Sequence, residues 1–407
     1  MKKLKHRKGV VLLLTIVLAA AILPSCSVAR YTAVPAGLET HAHLVGFTDA
    51  IRYYPRDAQH LMLFEQDYLD SVAREVEYLR SQGEVGPLPP AAYLAISGGG
   101  DNGAFGAGFL NGWTKAGTRP SFKLVTGIST GALIAPFAFL GPSYDGKLKD
   151  LYTTITKDDV ASKRSIFSVL FKDARSDNEP LWNLVKKHIT QDMLAAIAAE
   201  HAKGRILLIG TANLDALRPV IWNVTKIAAS GNPHSLELVH TLLIASAAIP
   251  GEFPPVMIEV TVDNMTYQEM HVDGGAVAQV FIYPPAMRLG ELSKEYSIDR
   301  QRTLYIIRNA RLDPEWGEVE RRTLPIALRA ISSLVEYQGI GDLYRIYTTT
   351  QRDGVEYNLA FIPDTFNTLH ATEFDTAYMR ELFNVGYQLA EKRYTWHKEP
   401  PVLFQTH

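Results

Sequence analysis

The stretch Lys123-Leu124-Val125-Thr126-Gly127-Ile128-Ser129-Thr130-Gly131, followed by the apolar run Ala132–Leu140, decides the fold. A short apolar strand ends in a glycine, a serine sits in the turn, and a helix-compatible segment begins at once. The same grammar occurs one unit earlier. Tyr93–Ile96 reads as a strand, Gly98-Gly99-Gly100-Asp101-Asn102-Gly103 as the junction, and Ala104–Trp113 as a helix. Further apolar runs read as strands: Arg205–Ala212, Val220–Asn223, Leu304–Arg308 and Glu356–Ile362. Leu61–Gln82 and Phe374–Lys392 carry apolar residues near a 3.6-residue spacing and read as helices. Strands alternating with helices predict a three-layer α/β fold, with a mostly parallel central sheet flanked by helices.

Each junction has its own chemistry. Consecutive glycines after a strand let the backbone turn sharply and expose N–H groups beside a helix N-terminus. Such donors suit a phosphate or a developing oxyanion. Gly98, Gly100 and Gly103 also match the spacing of a dinucleotide loop, but no acidic residue lies between Asp101 and Asp145 to hold a ribose. Gly127-Ile128-Ser129-Thr130-Gly131 has the Gly-x-Ser-x-Gly arrangement of a nucleophile elbow, in which a serine occupies a strained turn between strand and helix. Two successive strand ends therefore bring donors and nucleophile to one sheet edge, where open α/β sheets place ligands. His271-Val272-Asp273-Gly274-Gly275 taken alone reads as a turn.

A glycine-rich loop, then Gly-x-Ser-x-Gly, then a distant Asp-Gly-Gly, in that order, resembles the patatin-like phospholipases. Gly210-Thr211-Ala212-Asn213-Leu214-Asp215 and Ala245–Pro255 are similar too, and the likeness covers about residues 90–290. The resemblance implies a patatin-like fold and a Ser–Asp dyad, with Ser129 as nucleophile and Asp273 as base. It also implies an oxyanion hole at Gly98, Gly99 and Gly100, with Gly103, Gly127, Gly131, Gly274 and Gly275 supporting the motifs. No metal or cofactor is implied, and the substrate would be a lipid or other acyl ester, such as a phospholipid, a lysophospholipid or a carboxylic ester. One position departs from the family pattern: Asn102 stands where a basic residue is usual, which favours a neutral ester over an anionic head group. Asp101 is expected to be a solvated or helix-capping residue, His271 a packed strand-end residue, and Ser246 a residue that shapes a loop. Two rivals remain open. One is an α/β-hydrolase-like esterase with a Ser–Asp–His triad recruiting His370; the other is a non-catalytic lipid-binding lipoprotein.

The rest of the chain sets the context. Of 407 residues, 47% are hydrophobic and 21% charged, an ordinary globular balance with ample length for a large core. A formal net charge of -2 leaves no basic excess for nucleic-acid binding. Lys2, Lys3, Lys5, Arg7 and Lys8 precede an apolar run from Gly9 to Leu23. That run is short for a membrane span of roughly 20 residues and fits a signal-peptide core, with an uncleaved anchor helix as the alternative. Cys26 is the only cysteine, so no intramolecular disulfide can form. Its place after Leu23-Pro24-Ser25 resembles the lipobox of bacterial lipoproteins, although Pro24 is not the usual small residue. This implies a lipidated Cys26 that tethers the chain to a membrane surface in the cell envelope. Ser27 after it is similar to lipoproteins sent to an outer membrane facing the periplasm. The expected organisation is a signal peptide over 1–25, a tether and helical segment over 26–90, a catalytic core over 91–290, and an α/β extension over 291–407.

Overall fold

A computed structural model describes residues 30–47, 50–160, 162–163, 176–370 and 372–401. The expected signal peptide and Cys26 lie outside the described residues. Ten strands form one sheet: β1 (His43–Leu44), β2 (Arg52–Tyr53), β3 (Ala91–Ile96), β4 (Phe122–Ile128), β5 (Ile206–Asn213), β6 (Arg218–Asn223), β7 (Val256–Val262), β8 (Met265–Asp273), β9 (Arg302–Arg308) and β10 (Glu356–Phe361). Eleven helices matter here: α1 (Ala58–Ser81), α2 (Gly103–Lys115), α3 (Thr130–Leu140), α4 (Asp145–Thr154), α5 (Glu179–His188), α6 (Gln191–Ala202), α7 (Val224–Ala229), α8 (Ser235–Ser246), α9 (Leu289–Glu295), α10 (Thr323–Asp353) and α11 (Thr376–Glu391).

The expected three layers are present, and successive strand residues explain them. On β3, Ala91, Tyr93 and Ala95 join a core with Phe64, Tyr68 and Val72 of α1 and with Leu343 and Ile346 of α10. The intervening Leu94 and Ile96 join the opposite core, with Phe105 and Phe109 of α2, Phe137 of α3 and Leu382 of α11. Side chains alternate across a pleated strand, so a strand apolar at every position must be covered on both faces.

The sheet is mixed rather than parallel throughout. β10, β9, β3, β4 and β5 run parallel, while β6 and β2 continue antiparallel beyond β5. β8, β7 and β1 form a second antiparallel arm. The β7–β8 hairpin closes through Asp263 and Asn264, both at positive φ (49° and 63°), as a two-residue turn requires. The segments before residue 91 and after 290 are woven into the same sheet, since β9 lies directly beside β3.

One register matters most. β4 pairs with β5 as far as Ile128↔Gly210, and β8 pairs with β5 from His271↔Asn213 to Asp273↔Thr211. β6 pairs with β5 from residue 208 through 213. A strand has two edges, so β4 and β8 must share the edge opposite β6. They approach each other head to head and stop on consecutive rungs, at Gly210 and Thr211. The chain turns away on both sides, at Ser129 and at Gly274.

Candidate active site

Ser129 follows β4 and opens α3 with φ 55° and ψ −126°, a conformation that side-chain-bearing residues seldom adopt. Three contacts hold it there. Its carbonyl accepts the Ala132 N–H (2.9 Å), its N–H donates to Ser246 Oγ (3.0 Å), and the Ser246 hydroxyl donates to the Gly210 carbonyl (2.7 Å). The flanking glycines answer to space: a Cβ at Gly127 would meet the Gly131 main chain, and one at Gly131 the carbonyls of Ile96 and Ser97. Ser246 thus shapes the elbow, as expected.

Asp273 ends β8 and is buried. Its Oδ1 accepts the Gly275 N–H (2.7 Å), and the Ser129 side chain lies near enough to act on its carboxylate. Burial drives its pKa up, and the nearby Ser129 side chain and the Gly275 N–H only partly oppose this, leaving it at about 6. Gly274 lies against the Gly210 carbonyl and Ile128, and Gly275 against the Asp273 carboxylate. His271, two residues before, is fully buried and bonds Thr211 Oγ1 (3.0 Å) and Glu269 (3.0 Å), a packed position as expected.

The glycine loop departs from expectation at one donor. The Gly98 N–H donates to the Gln279 carbonyl (3.0 Å), so it is spent on holding the loop to the segment after Gly275. The three expected oxyanion donors therefore reduce to Gly99 and Gly100. Gly98 instead lies against the Ser129 side chain, where a Cβ would come within 3.2 Å of the Ser129 Cβ. Gly99 (φ 153°) and Gly100 (φ 58°) are both at positive φ, and Gly99 is pressed against the Asn309 carbonyl. Gly103 starts α2, tight against Thr130 and Tyr152.

Several residues that the motifs do not name complete the loop. Asn309, just past β9, receives the Gly106 N–H on Oδ1 (3.0 Å) and donates its N–H to Ser97 Oγ (2.8 Å) and its Nδ2 to the Ser97 carbonyl (2.9 Å). Asn102 Oδ1 accepts the Tyr378 hydroxyl (2.7 Å). Asp101 is buried rather than solvated: its Oδ2 accepts His370 Nε2 (2.7 Å) and the Phe374 N–H (2.7 Å). His370 also stacks on Tyr378, with ring centroids 4.4 Å apart. His370 therefore pairs with Asp101, and among the described residues no histidine is hydrogen-bonded to Ser129 or Asp273.

Ser129, Thr130 and Gly100 line a pocket whose empty space of about 760 Å³ is partly open to solvent. Leu133 and Phe137 of α3, Leu151 of α4, Leu181 and Leu184 of α5 and Leu243 of α8 line it too, with Phe374 and Ile249. Its lining is almost wholly apolar, with Ser129, Thr130, Tyr152 and His188 as the residues that bring polar side chains to it.

Residues 94–285 match the family model described as patatin-like phospholipase. The match spans both strand–helix junctions and Asp273, and nearly coincides with the stretch over which the motifs are similar. No curated protein matches the chain. Among solved structures, it is similar to VipD from Legionella pneumophila, at 11% identity and a TM-score of 0.33 over 74% of this chain and 66% of that one. It is also similar to human GIVD cytosolic phospholipase A2, at 10% identity and a TM-score of 0.33 over 80% of this chain and 52% of that one. The chain thus spans about half to two thirds of the length of these structures.

Proposed function

We propose that this protein is a serine acyl hydrolase of lipids, cleaving carboxylic esters through Ser129 and Asp273. The single observation that carries this reading is a serine at a strained elbow, beside a buried carboxylate and lining an apolar pocket. The patatin-like match over 94–285 supports it.

The chemistry follows from the placement. Asp273 accepts the Ser129 proton as Oγ attacks the ester carbonyl. The N–H groups of Gly99 and Gly100 receive the oxyanion, each donor worth about 3 kcal/mol. Collapse expels the alcohol, which takes the proton back from Asp273, and an acyl-serine remains. Water then gives a proton to Asp273 and attacks the acyl carbonyl; collapse breaks the bond to Ser129 Oγ, which takes that proton from Asp273, and the fatty acid leaves. A carboxylate near its ordinary pKa is a weak base for a hydroxyl; one lifted to about 6 is a better match. The uncharged Asn102–Tyr378 pair beside the loop favours a neutral ester over an anionic head group.

The test is turnover of p-nitrophenyl esters together with labelling by a fluorophosphonate. Ser129→Ala should lose both, and Asp273→Asn should lose turnover while staying folded. Retained turnover in either variant overturns the dyad, and an unlabelled, folded wild type favours a lipid-binding role.

We also propose that a lipidated Cys26 holds the protein at an envelope membrane, on the strength of the basic, apolar and cysteine-bearing start of the chain. Fatty-acid labelling that persists in Cys26→Ser would refute it.

A further inference from the structure

The longest helix, α10, has two unlike halves. In its C-terminal half Leu343 and Ile346 are buried in the core, and Asp342 Oδ2 accepts the Gln279 N–H (2.6 Å). In its N-terminal half Ile326, Leu328, Ile331, Leu334, Val335 and Tyr337 are all exposed, Leu334 and Tyr337 at 70%. At about 100° per residue, these six side chains fall in one arc of about 200°, and Arg329, Ser332, Ser333 and Glu336 fill the remainder. The polar side is the one tied to the body: Glu336 pairs with Arg308 (2.8 Å), and Arg329 donates to the Glu315 carbonyl. Arg329, Ser332 and Ser333 are exposed as well, so this half of the helix stands clear of the body and its apolar arc covers nothing.

Position says what covers this face. Just past Tyr337, Gln338 Oε1 accepts from Gln279 Nε2 (3.1 Å), which also donates to the Gly275 carbonyl (2.7 Å). The Gln279 carbonyl in turn holds Gly98. The helix thus leaves the body at the rim of the Ser129 site. Two more exposed apolar side chains lie on neighbouring segments: Trp316, at 90%, and Leu369, on the segment that brings Phe374 into the pocket. Arg311 joins these two segments by donating to the Phe366 carbonyl (2.7 Å). A long acyl chain is scarcely soluble and resides in lipid assemblies. A water-free path from there to the pocket requires an apolar rim pressed against the assembly.

We propose that the exposed half of α10 rests in the surface of a lipid bilayer and seats the Ser129 pocket mouth against it. The apolar arc carries no charge and the helix is polar on its other side, which suits burial in the acyl boundary parallel to the surface. This inference rests on the acyl-hydrolase reading for its choice of partner.

The test uses the full chain with Ser129→Ala, so that no lipid is hydrolysed, and phosphatidylcholine vesicles carrying brominated acyl chains. Tyr337→Trp should add emission that shifts to the blue and is quenched on the vesicles. Val85→Trp, at the opposite edge of the sheet, should stay unquenched. Emission from position 337 that keeps its aqueous maximum on sedimented vesicles overturns the proposal. So does a doubled mass in solution that Leu334→Asp returns to a monomer, because a second copy then covers the face. In the Ser129 protein, Ile331→Asp with Leu334→Asp should leave p-nitrophenyl butyrate turnover unchanged. The same change should lower turnover of p-nitrophenyl palmitate held in vesicles by about tenfold or more. An equal loss on both esters overturns it. A wild type that hydrolyses neither ester refutes the acyl-hydrolase reading alone, and the quenching measurement still decides the membrane face.

Discussion

Asp273→Asn should make the protein more stable while removing its activity, and the gain should depend on pH. The Asp273 carboxyl is buried and its pKa stands at about 6, above the ordinary aspartate value of 3.8. Below the lower value both folded and unfolded chains carry the protonated acid, and the group costs nothing. Between the two values the unfolded chain ionises first, so stability falls as pH rises. Above the folded value both are ionised and the cost is constant. About two pH units at roughly 1.4 kcal/mol each give a penalty of about 3 kcal/mol near neutrality. Asparagine keeps an oxygen for the Gly275 N–H and an amide that can bond Ser129, so the substitution removes the charge and little else. Thermal unfolding of the two proteins should therefore coincide near pH 4 and differ by a few degrees near pH 8, with the variant higher. The wild-type kcat/KM should fall with unit slope below about pH 6, as Asp273 takes up the proton that disables it. A variant less stable than wild type at every pH, or a difference that ignores pH, would refute the placement of an ionised, buried carboxylate at 273.

Three further outcomes follow from the site. His370→Ala should keep p-nitrophenyl butyrate turnover within about tenfold, whereas a triad histidine would cost about ten-thousandfold; its partner is Asp101, and steady-state rates decide. Leu184→Trp, in the wall of the pocket, should depress turnover of a palmitoyl ester by about tenfold or more and leave the butyryl ester nearly unchanged, read as the ratio of kcat/KM values. Ser246→Ala strands the Ser129 N–H and the Gly210 carbonyl, so it should destabilise the fold by about 2 kcal/mol or more and lower kcat by about tenfold to hundredfold. Denaturant midpoints and rates measured together would show whether both losses occur.

Much of the site was legible because its parts are local. The elbow and the glycine loop each lie within a few residues of a strand end and a helix start, and both strands are apolar at successive positions. Direction is harder to read. Val220–Asn223 is an apolar run like those of the parallel strands, yet β6 runs antiparallel to β5, because an apolar strand carries no mark of which way it points; β8, with Thr266, Gln268 and Glu269, offers no such run. The β7–β8 hairpin had a usable signal in the alternating burial of Val256–Val262 and the Asp263-Asn264 turn. α10 had one as well, since Ile326, Leu328, Ile331, Leu334, Val335 and Tyr337 share one helical arc, though that arc covers no core. Asn309, Gln279 and Tyr378 were silent, because each acts across roughly 180 to 280 residues on a loop it does not resemble.

Those distant residues explain how an unfavourable arrangement persists. Ser129 sits at a backbone conformation costing about 1–3 kcal/mol, beside a carboxylate whose burial costs about as much again. Neither local sequence nor the elbow itself offsets this. The β5 edge does: β4 and β8 are each committed to it by ladder pairing and meet head to head at Gly210 and Thr211, so the serine and the carboxylate cannot separate without breaking a rung. Ser246 ties the same rung to the elbow, and Asn309 ties the glycine loop to the β9 side of the sheet. The proposed chemistry then needs no histidine to relay a proton, because the meeting of two strand ends already supplies the contact between base and nucleophile.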